Sequence, residues 1–519
     1  MAQGRTGACQ HDPMDDYADV VVVGAGIAGL SAAALLAKAG LDVQLLEAHH
    51  QSGGCAGTFR RGPYTFDVGA TQVAGLEPGG SHARIFQHLG VPLPLSSPLD
   101  PGCVVDLGDG SPPVRLWRDP ERWQAERRAQ FPGSERFWRL CAALHRANWT
   151  FASKDPVLPP RHPWDLAQLL GALGPANLAS GLLVGASMAN LLQLSGAGGD
   201  PRLRRFLDLQ LKLYSQEPAD RTAALYGATV LAMAQEPLGL FHLEGSMQAL
   251  ATGLEQGLNQ AGGQLRTRHL VTVLQREQDG SGGGGGPWRV EGMGPGDRPF
   301  AMRCREVVLT LPPQTLASLL GEQLPQGYGR RLSQLNEPSG ALVLYGAVAR
   351  RDLPPECPAH LQLAWDDPGS LFVSVSREGD GRAPAGAATV IASVFTEARP
   401  WFGLSPEAYA ARKASVRAGM ERGLRAVLQL PEQPWLHCET ATPRGFERWT
   451  GRPFGYVGGL GQHPSRFGPF GLASRTPVPG LWLCGDAIYP GEGTAGVSLS
   501  ALMASRQLLA ARGLTLELA

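Results

Sequence analysis

The chain lacks the features that would announce a membrane span, a secreted scaffold or a metalloenzyme. No window approaches the about 20 uninterrupted apolar residues that a spanning helix needs, so no transmembrane segment is expected. Eight cysteines (Cys9, Cys55, Cys103, Cys141, Cys304, Cys357, Cys438 and Cys484) stand apart without a CxxC pair. That excludes a disulfide framework and a thiolate zinc site, and favours a reducing, cytoplasmic compartment. The 46 basic and 46 acidic residues cancel, so no overall field draws in nucleic acid or anionic substrates. Neither GxSxG nor HExxH occurs, and the twelve histidines show no ligand spacing. Neither a hydrolase triad nor a metal is therefore expected. Met1 to Asp16 is polar, carries none of the apolar stretch of a secretory signal, and reads as a disordered tail.

What is present begins at Asp19. The run DVVVVGAGIAGL passes from a β-branched strand through Gly24, Gly26 and Gly29 into the alanine-rich segment Leu30 to Ala39. Leu41 to Glu47 (LDVQLLE) then reads as a second strand ending on an acid. This is the pattern of a dinucleotide-binding βαβ unit. The first two glycines permit a tight turn and close backbone approach, and the third lets the helix pack on the strand. The helix N–H groups and positive dipole end then hold a pyrophosphate. Glu47 lies 18 residues after Gly29, where an acid can bind ribose hydroxyls.

Two further stretches bear on which dinucleotide this is. Gly53-Gly54-Cys55-Ala-Gly57-Thr58-Phe59 follows the acid, and Tyr64 to Thr71 (YTFDVGAT) follows that. At the far end, Gly480 to Val497 (GLWLCGDAIYPGEGTAGV) reads as a short apolar strand ending in Gly485-Asp486, a glycine-rich turn, and a helix from Val497 to Leu509. A nicotinamide site needs no such distant element. A flavin lying across the sheet does: one carboxylate, Asp486, near the ribityl hydroxyls, and one helix N-terminus near the isoalloxazine to favour its reduced form.

On these motifs the chain resembles the phytoene desaturase and carotenoid isomerase group of FAD amine-oxidase-like flavoproteins, which open with GxGxxG…E…GG and close with GD…PG. Within that group, GGCAGTF, FDVGATQVAGLEPGG (Phe66 to Gly80), TPRGFERWTGRPFGYVGG (Thr442 to Gly459) and GDAIYPGEGTAGVS (Gly485 to Ser498) look most like cyanobacterial carotenoid 3′,4′-desaturases. The resemblance runs from about Asp15 to the end. It implies an α/β fold with a Rossmann-like FAD-binding domain interleaved with a mixed α+β substrate domain. It implies FAD contacts at Gly24, Gly26, Ile27, Ala28, Gly29, Glu47, Gly53, Gly54, Gly69, Ala70, Thr71, Gly485, Asp486, Gly493, Ala495 and Val497, and one from the backbone of Val271. One departure stands out: many relatives carry a basic residue right after the Gly-Gly pair, and here that residue is Cys55, read as a small buried filler.

At 519 residues the chain is too long for one simple core. The expected FAD domain is discontinuous, over 16–90, 235–330 and 470–519, with the substrate domain in 91–234 and 331–469. Gly245 to Leu258 has helical apolar spacing at Met247, Leu250 and Leu254, and Gly262-Gly263 ends that helix. Gln264 to Leu274 reads as one strand, and Glu306 to Leu311 as a buried parallel one stopped by Pro312-Pro313. The glycine run 280–286 reads as a hairpin loop. Phe206, Leu207, Leu211 and Tyr214 share a helical face, although Leu207, Leu209, Leu211 and Leu213 also alternate as in a strand. Leu178 to Leu194 (LASGLLVGASMANLLQL) fits a core helix, a tunnel wall or a monotopic membrane patch. Trp449, Phe454 and Tyr456, beside Arg444 and Arg448, are candidates to line a tunnel. His49-His50 reads as exposed loop.

The resemblance and the absence of a nucleophile together imply an FAD-dependent desaturase acting on a lipophilic carotenoid, with possible peripheral membrane association. Removing hydrogen beside a polyene needs an electron sink more than a strong side-chain base. Asp486 fits a ribityl ligand better than a proton acceptor, which leaves Tyr489 and Glu492 as candidates for that role. The alternatives are a carotenoid cis–trans isomerase on the same fold, an amine oxidase (which would want an aromatic cage and a lysine near the flavin) and a pigment-carrying scaffold.

Overall fold

The computed structural model describes residues 17–278 and 285–518. The expected tail and the centre of the glycine run lie outside the described residues. Strand β1 (Tyr17–Val23) forms where four valines follow one another, and it leads through the glycine turn into helix α1 (Ile27–Lys38) and strand β2 (Val43–Glu47). In β1 the side chains alternate. Val20 and Val22 face the core beneath α1, and Val21 and Val23 face the core on the other side of the sheet. Both faces are covered over Val20 to Val23, which is why that part of the strand is apolar without interruption.

The parallel part of the sheet runs Leu481–Leu483, Arg298–Leu309, β1, β2, Gln264–Thr267. The front half of the Arg298–Leu309 strand carries two antiparallel strands, Gly285–Gly294 and Leu270–Gln278. The expected single strand over Gln264 to Leu274 is thus two strands. They separate at Arg268, which sits in the left-handed region at φ 58°. Likewise the Arg298–Leu309 strand stops two residues before the expected Leu311. Helix α1 is buried along its length between the sheet and two other helices, Gln248–Gln260 and Gly493–Ala511. Its alanines allow that close packing, and fully burying each leucine there stabilises by roughly 1.5–3 kcal/mol.

A second sheet runs in the order Trp435–Ala441, Gly340–Ala349, Ala387–Thr396, Leu371–Val375, His360–Leu363, Val104–Asp106, Val114–Arg115. Its strands come from 91–234 and 331–469, whereas every strand of the first sheet comes from 16–90, 235–330 or 470–519. The small pairing of Ser96–Pro98 with Phe241–Leu243 crosses between those two sets. One face of the second sheet packs on the long helix Pro406–Leu428, and a helical lobe over residues 99–240 closes the side. A buried charge network ties the layers together. Arg382 pairs with Asp67 and Asp380 at 3.1 Å each, and Asp380 bonds His242 at 3.0 Å.

The segment expected to form a helix from Phe206 to Tyr214 is helical, within Pro201–Ser215. Leu178 to Leu194, by contrast, is not one element. Helix Pro175–Gly181 ends in a turn, and Ser187 caps a second helix, Met188–Leu194, by accepting from the Asn190 amide at 3.2 Å. Met188, Leu191 and Leu192 are core, Ser180, Gly181 and Val184 line a cavity, and Leu178, Leu182 and Leu194 are exposed. Its largely apolar, uncharged composition conceals three separate environments.

Candidate functional site

A cavity of about 1080 Å³ lies between the two sheets and the helical lobe. That is at the upper end of what a single drug-sized ligand needs. Of the residues singled out from the sequence, Gly24, Gly26, Ile27, Ala28, Glu47, Gly53, Gly54, Gly69, Ala70, Thr71, Val271, Gly485, Asp486, Tyr489, Glu492, Gly493, Ala495 and Val497 all line it. Gly29 does not. A Cβ there would stand 1.8 Å from the Gly24 carbonyl oxygen, so Gly29 serves the packing of α1 on the turn.

The nucleotide end is built from backbone. Gly24 holds φ 97°, a conformation a side chain would strain. Gly26 precedes α1 with no side chain capping the helix, and a Cβ on it would meet nothing. The first-turn amides of α1 therefore open into the cavity. Glu47 is fixed beside them: its carboxylate accepts from the Ala25 amide at 2.7 Å and the His49 amide at 2.8 Å. Burial raises its pKa against those hydrogen bonds.

The closing helix, Gly493–Ala511, supplies a second uncapped N-terminus, at Glu492, and Gly493, Thr494, Ala495 and Gly496 line the cavity there. Two helix ends thus face one cavity from different directions, and a ligand with negative charge at two separated places fits them. Asp486 projects between them and pairs with Arg452 at 2.7 Å. Glu492 accepts from the Gly459 amide with both oxygens, at 2.9 and 3.0 Å, and from Gln216 Nε2 at 3.1 Å. Burial, then the charge of Asp486, pushes its carboxyl up to about 8. The Tyr489 hydroxyl is pushed by burial up to about 12.

Beyond the closing motif the cavity becomes apolar and aromatic, with Tyr214, Tyr226, Phe372, Phe395 and Phe467 on its walls, while Trp449 lines the nucleotide end beside His49. Phe454 and Tyr456 do not line it. Phe454 packs edge-on against Phe402 at 5.3 Å, and Tyr456 is buried beside Phe454. Arg444 is likewise absent from the walls, because its guanidinium bonds the carbonyls of Trp401 and Leu404. Arg448 is also not on them. His49 is half-buried rather than exposed loop, lining the cavity with its ring 4.3 Å from Trp449. Cys55, expected as buried filler, is half-buried on the cavity wall.

The sequence reading missed Lys212, Gln216 and Arg452 as cavity residues. Lys212 gives its ammonium to the Gln216 carbonyl at 2.7 Å, and burial lowers its pKa. These three converge through tertiary packing; no local pattern marks Lys212 or Gln216, and Arg452 lies within the Thr442 to Gly459 stretch, whose other arginines and aromatics drew the attention. Among the described residues no group of three or more histidines, cysteines and acids could hold a metal.

A two-layer fold with a glycine-turn βαβ unit, a distant Gly-Asp turn and two bare helix N-termini on one long cavity defines a flavoprotein of the FAD-dependent oxidoreductase class. The chain belongs to the flavin-containing amine oxidoreductase family, whose profile matches residues 27–509, and its cofactor is FAD. It is 25% identical to the chloroplastic prolycopene isomerase of Arabidopsis thaliana over 97% of this chain and 85% of that protein. It is 28% identical to the hydroxyneurosporene desaturase of Cereibacter sphaeroides over 95% of this chain and 97% of that protein. Among solved structures it resembles a putrescine oxidase bound to putrescine, with a TM-score of 0.62 at 20% identity, covering 96% of this chain and 99% of that one. At that identity the likeness shows the fold.

Proposed function

We propose that this protein is an FAD-dependent carotenoid desaturase, oxidising a C–H/C–H pair of a long polyene to a double bond. The observation that carries the reading is the cavity itself: it passes from two bare helix ends at Gly26 and Glu492 into an apolar, aromatic half. That arrangement suits a flavin at one end and a lipophilic chain at the other. The relatives that act on prolycopene and hydroxyneurosporene support the substrate class.

When bound, FAD supplies the hydride acceptor. The α1 amides would hold its diphosphate and Glu47 its ribose, and Asp486 would orient the ribityl chain. The positive end of the Gly493–Ala511 helix would favour negative charge placed beside it by up to about 2 kcal/mol. The aromatic walls align the polyene and exclude water. Glu492 takes the remaining proton from the substrate, so that hydride and proton together account for the two hydrogens lost. Mixing the purified flavoprotein with an acyclic carotenoid in the absence of oxygen should bleach the flavin as product forms. Flavin that stays oxidised with every polyene tried but bleaches with a primary amine would replace this reading with an amine oxidase. An isomerase would change product geometry without any net bleaching.

The reading includes a cytoplasmic protein that docks on a lipid bilayer to collect its substrate. From residue 166 to 199 the chain carries no charged residue. Leu166, Leu170, Leu178 and Leu182 are 47, 58, 66 and 87% exposed, while their neighbours Leu169, Leu173, Gly181 and Val184 line the cavity. Exposed Lys154 and Arg161 flank this patch, complementing an anionic surface. Vesicles containing anionic lipid should float the wild-type protein, and Leu178→Asp with Leu182→Asp should release it. Equal flotation of both would show that these leucines do not meet lipid.

A further inference from the structure

We infer that Arg452 is an FAD-positioning residue, a cation delivered from the second layer of the molecule to the place left empty by Cys55. The diphosphate of FAD brings two negative charges into the cavity. Among the described residues lining that cavity, the lysines and arginines are Lys212 and Arg452. Lys212 is bound to the Gln216 carbonyl and stands 5.9 Å from the centre of the Phe395 ring, in the aromatic half. Arg452 is in the nucleotide half. Its position there follows from backbone packing. Gly54 lies against Gly26, where a Cβ would be 3.3 Å from the Gly26 Cα, and Gly485 lies against Ala28, where a Cβ would be 3.9 Å from the Ala28 Cβ. Cys55 and Asp486 are the next residues along those two turns, so both flank the N-terminus of α1.

Arg452 faces both. One Nη donates to Asp486 at 2.7 Å, and the guanidinium faces the Cys55 thiol. The other Nη donates to the Gly458 carbonyl at 2.6 Å. The guanidinium lines the cavity with its side chain 14% exposed, and each Nη keeps a second N–H beyond those two bonds. A partly exposed guanidinium with spare donors beside an uncapped helix end is suited to donate to a diphosphate oxygen. The chain reaches this place because Gly451 ends the helix Pro443–Thr450 in the left-handed conformation and turns Arg452 inward. The helix itself packs on the Gly54–Ala56 turn. A residue far along the sequence thereby replaces a charge that a basic side chain after the Gly-Gly pair would supply locally. The inference depends on FAD as cofactor and not on the identity of the substrate.

The test is FAD affinity, measured by flavin fluorescence on purified full-length protein. Arg452→Met is expected to bind FAD at least about tenfold more weakly than wild type, one charge-assisted contact's worth. Adding Cys55→Arg in that background is expected to recover most of the loss. Arg452→Lys keeps the cation and should fall between the two, which preserves the test if Arg452→Met does not fold. Arg452 could matter solely by neutralising Asp486, and the pair Asp486→Asn and Asp486→Asn/Arg452→Met separates the two roles. Equal FAD affinity in those two variants, or wild-type affinity in Arg452→Met, would overturn the inference. Wild-type protein that bound no FAD would instead remove the cofactor assignment.

Discussion

At Gly29 a methyl group would lie 1.8 Å from the Gly24 carbonyl oxygen, against backbone that cannot give way. Gly29→Ala should therefore push α1 off β1, costing about 1–3 kcal/mol and lowering the FAD content of purified protein. Unchanged stability and flavin content would contradict that packing. Glu492 makes the second prediction at this scale. Burial and the Asp486 charge raise its carboxyl to about 8, and a proton acceptor must be ionised. Turnover should therefore rise with pH through about 8, and Glu492→Gln should lose that rise along with most of its rate. A Glu492→Gln enzyme with the wild-type pH profile would make the residue a brace for the Gly459 amide. Residues such as Gly24, Gly29 and Glu47 were legible in the sequence because their chemistry is local. Lys212 and Arg452 were not, because what matters is which distant backbone they meet.

Among the elements, the βαβ unit followed directly from the order of valines, glycines and alanines, since both its period and its turn chemistry are written within 30 residues. Gln264 to Leu274 reads as one strand in the sequence but forms two, because the break rests on Arg268 at φ 58°, a conformation that an arginine does not advertise. Leu178 to Leu194 leaves three readings open because composition does not say which leucines meet core, cavity or solvent. The motif residue Asp67 illustrates a further limit. It stands within the FDVG stretch that resembles a cofactor signature, yet its carboxylate holds Arg382 and accepts from Thr58 and the Met247 amide. It joins the hairpin Thr58–Asp67 to the second sheet. Arg382→Met would leave Asp67 and Asp380 buried without a counter-charge, and should cost about 3–5 kcal/mol. Denaturant midpoints measure this, and a loss under about 1 kcal/mol would mean that the network is solvated.

For the molecule as a whole, buried titratable groups set the pH range of stability. Burial holds His82 down to about 4 and His360 to about 3. The unfolded chain therefore takes up two protons below about pH 6.5 that the folded chain refuses, and stability falls as pH drops. Glu492, raised to about 8, opposes them by one proton between about pH 4.5 and 8. These three groups by themselves give a net loss of about 1.4 kcal/mol per pH unit between 6.5 and 4.5, and His49, His88, His145 and His463, all lowered by burial, add to it. Above 6.5 the raised Glu492 makes stability decline with rising pH. The apoprotein should thus be most stable near pH 6.5, and a stability that rose steadily from pH 6.5 to 8 would contradict the burial of Glu492. The same architecture joins a polar nucleotide site to an aromatic hollow, and the proposed chemistry depends on that joining.

The desaturase reading is tested most directly by the mass of what the protein makes. Expressed in cells that accumulate acyclic and monocyclic carotenoids, it should convert one of them into a pigment lighter by two hydrogens, with a red-shifted absorption spectrum. A pigment of unchanged mass and altered double-bond geometry would contradict desaturation and make the protein an isomerase.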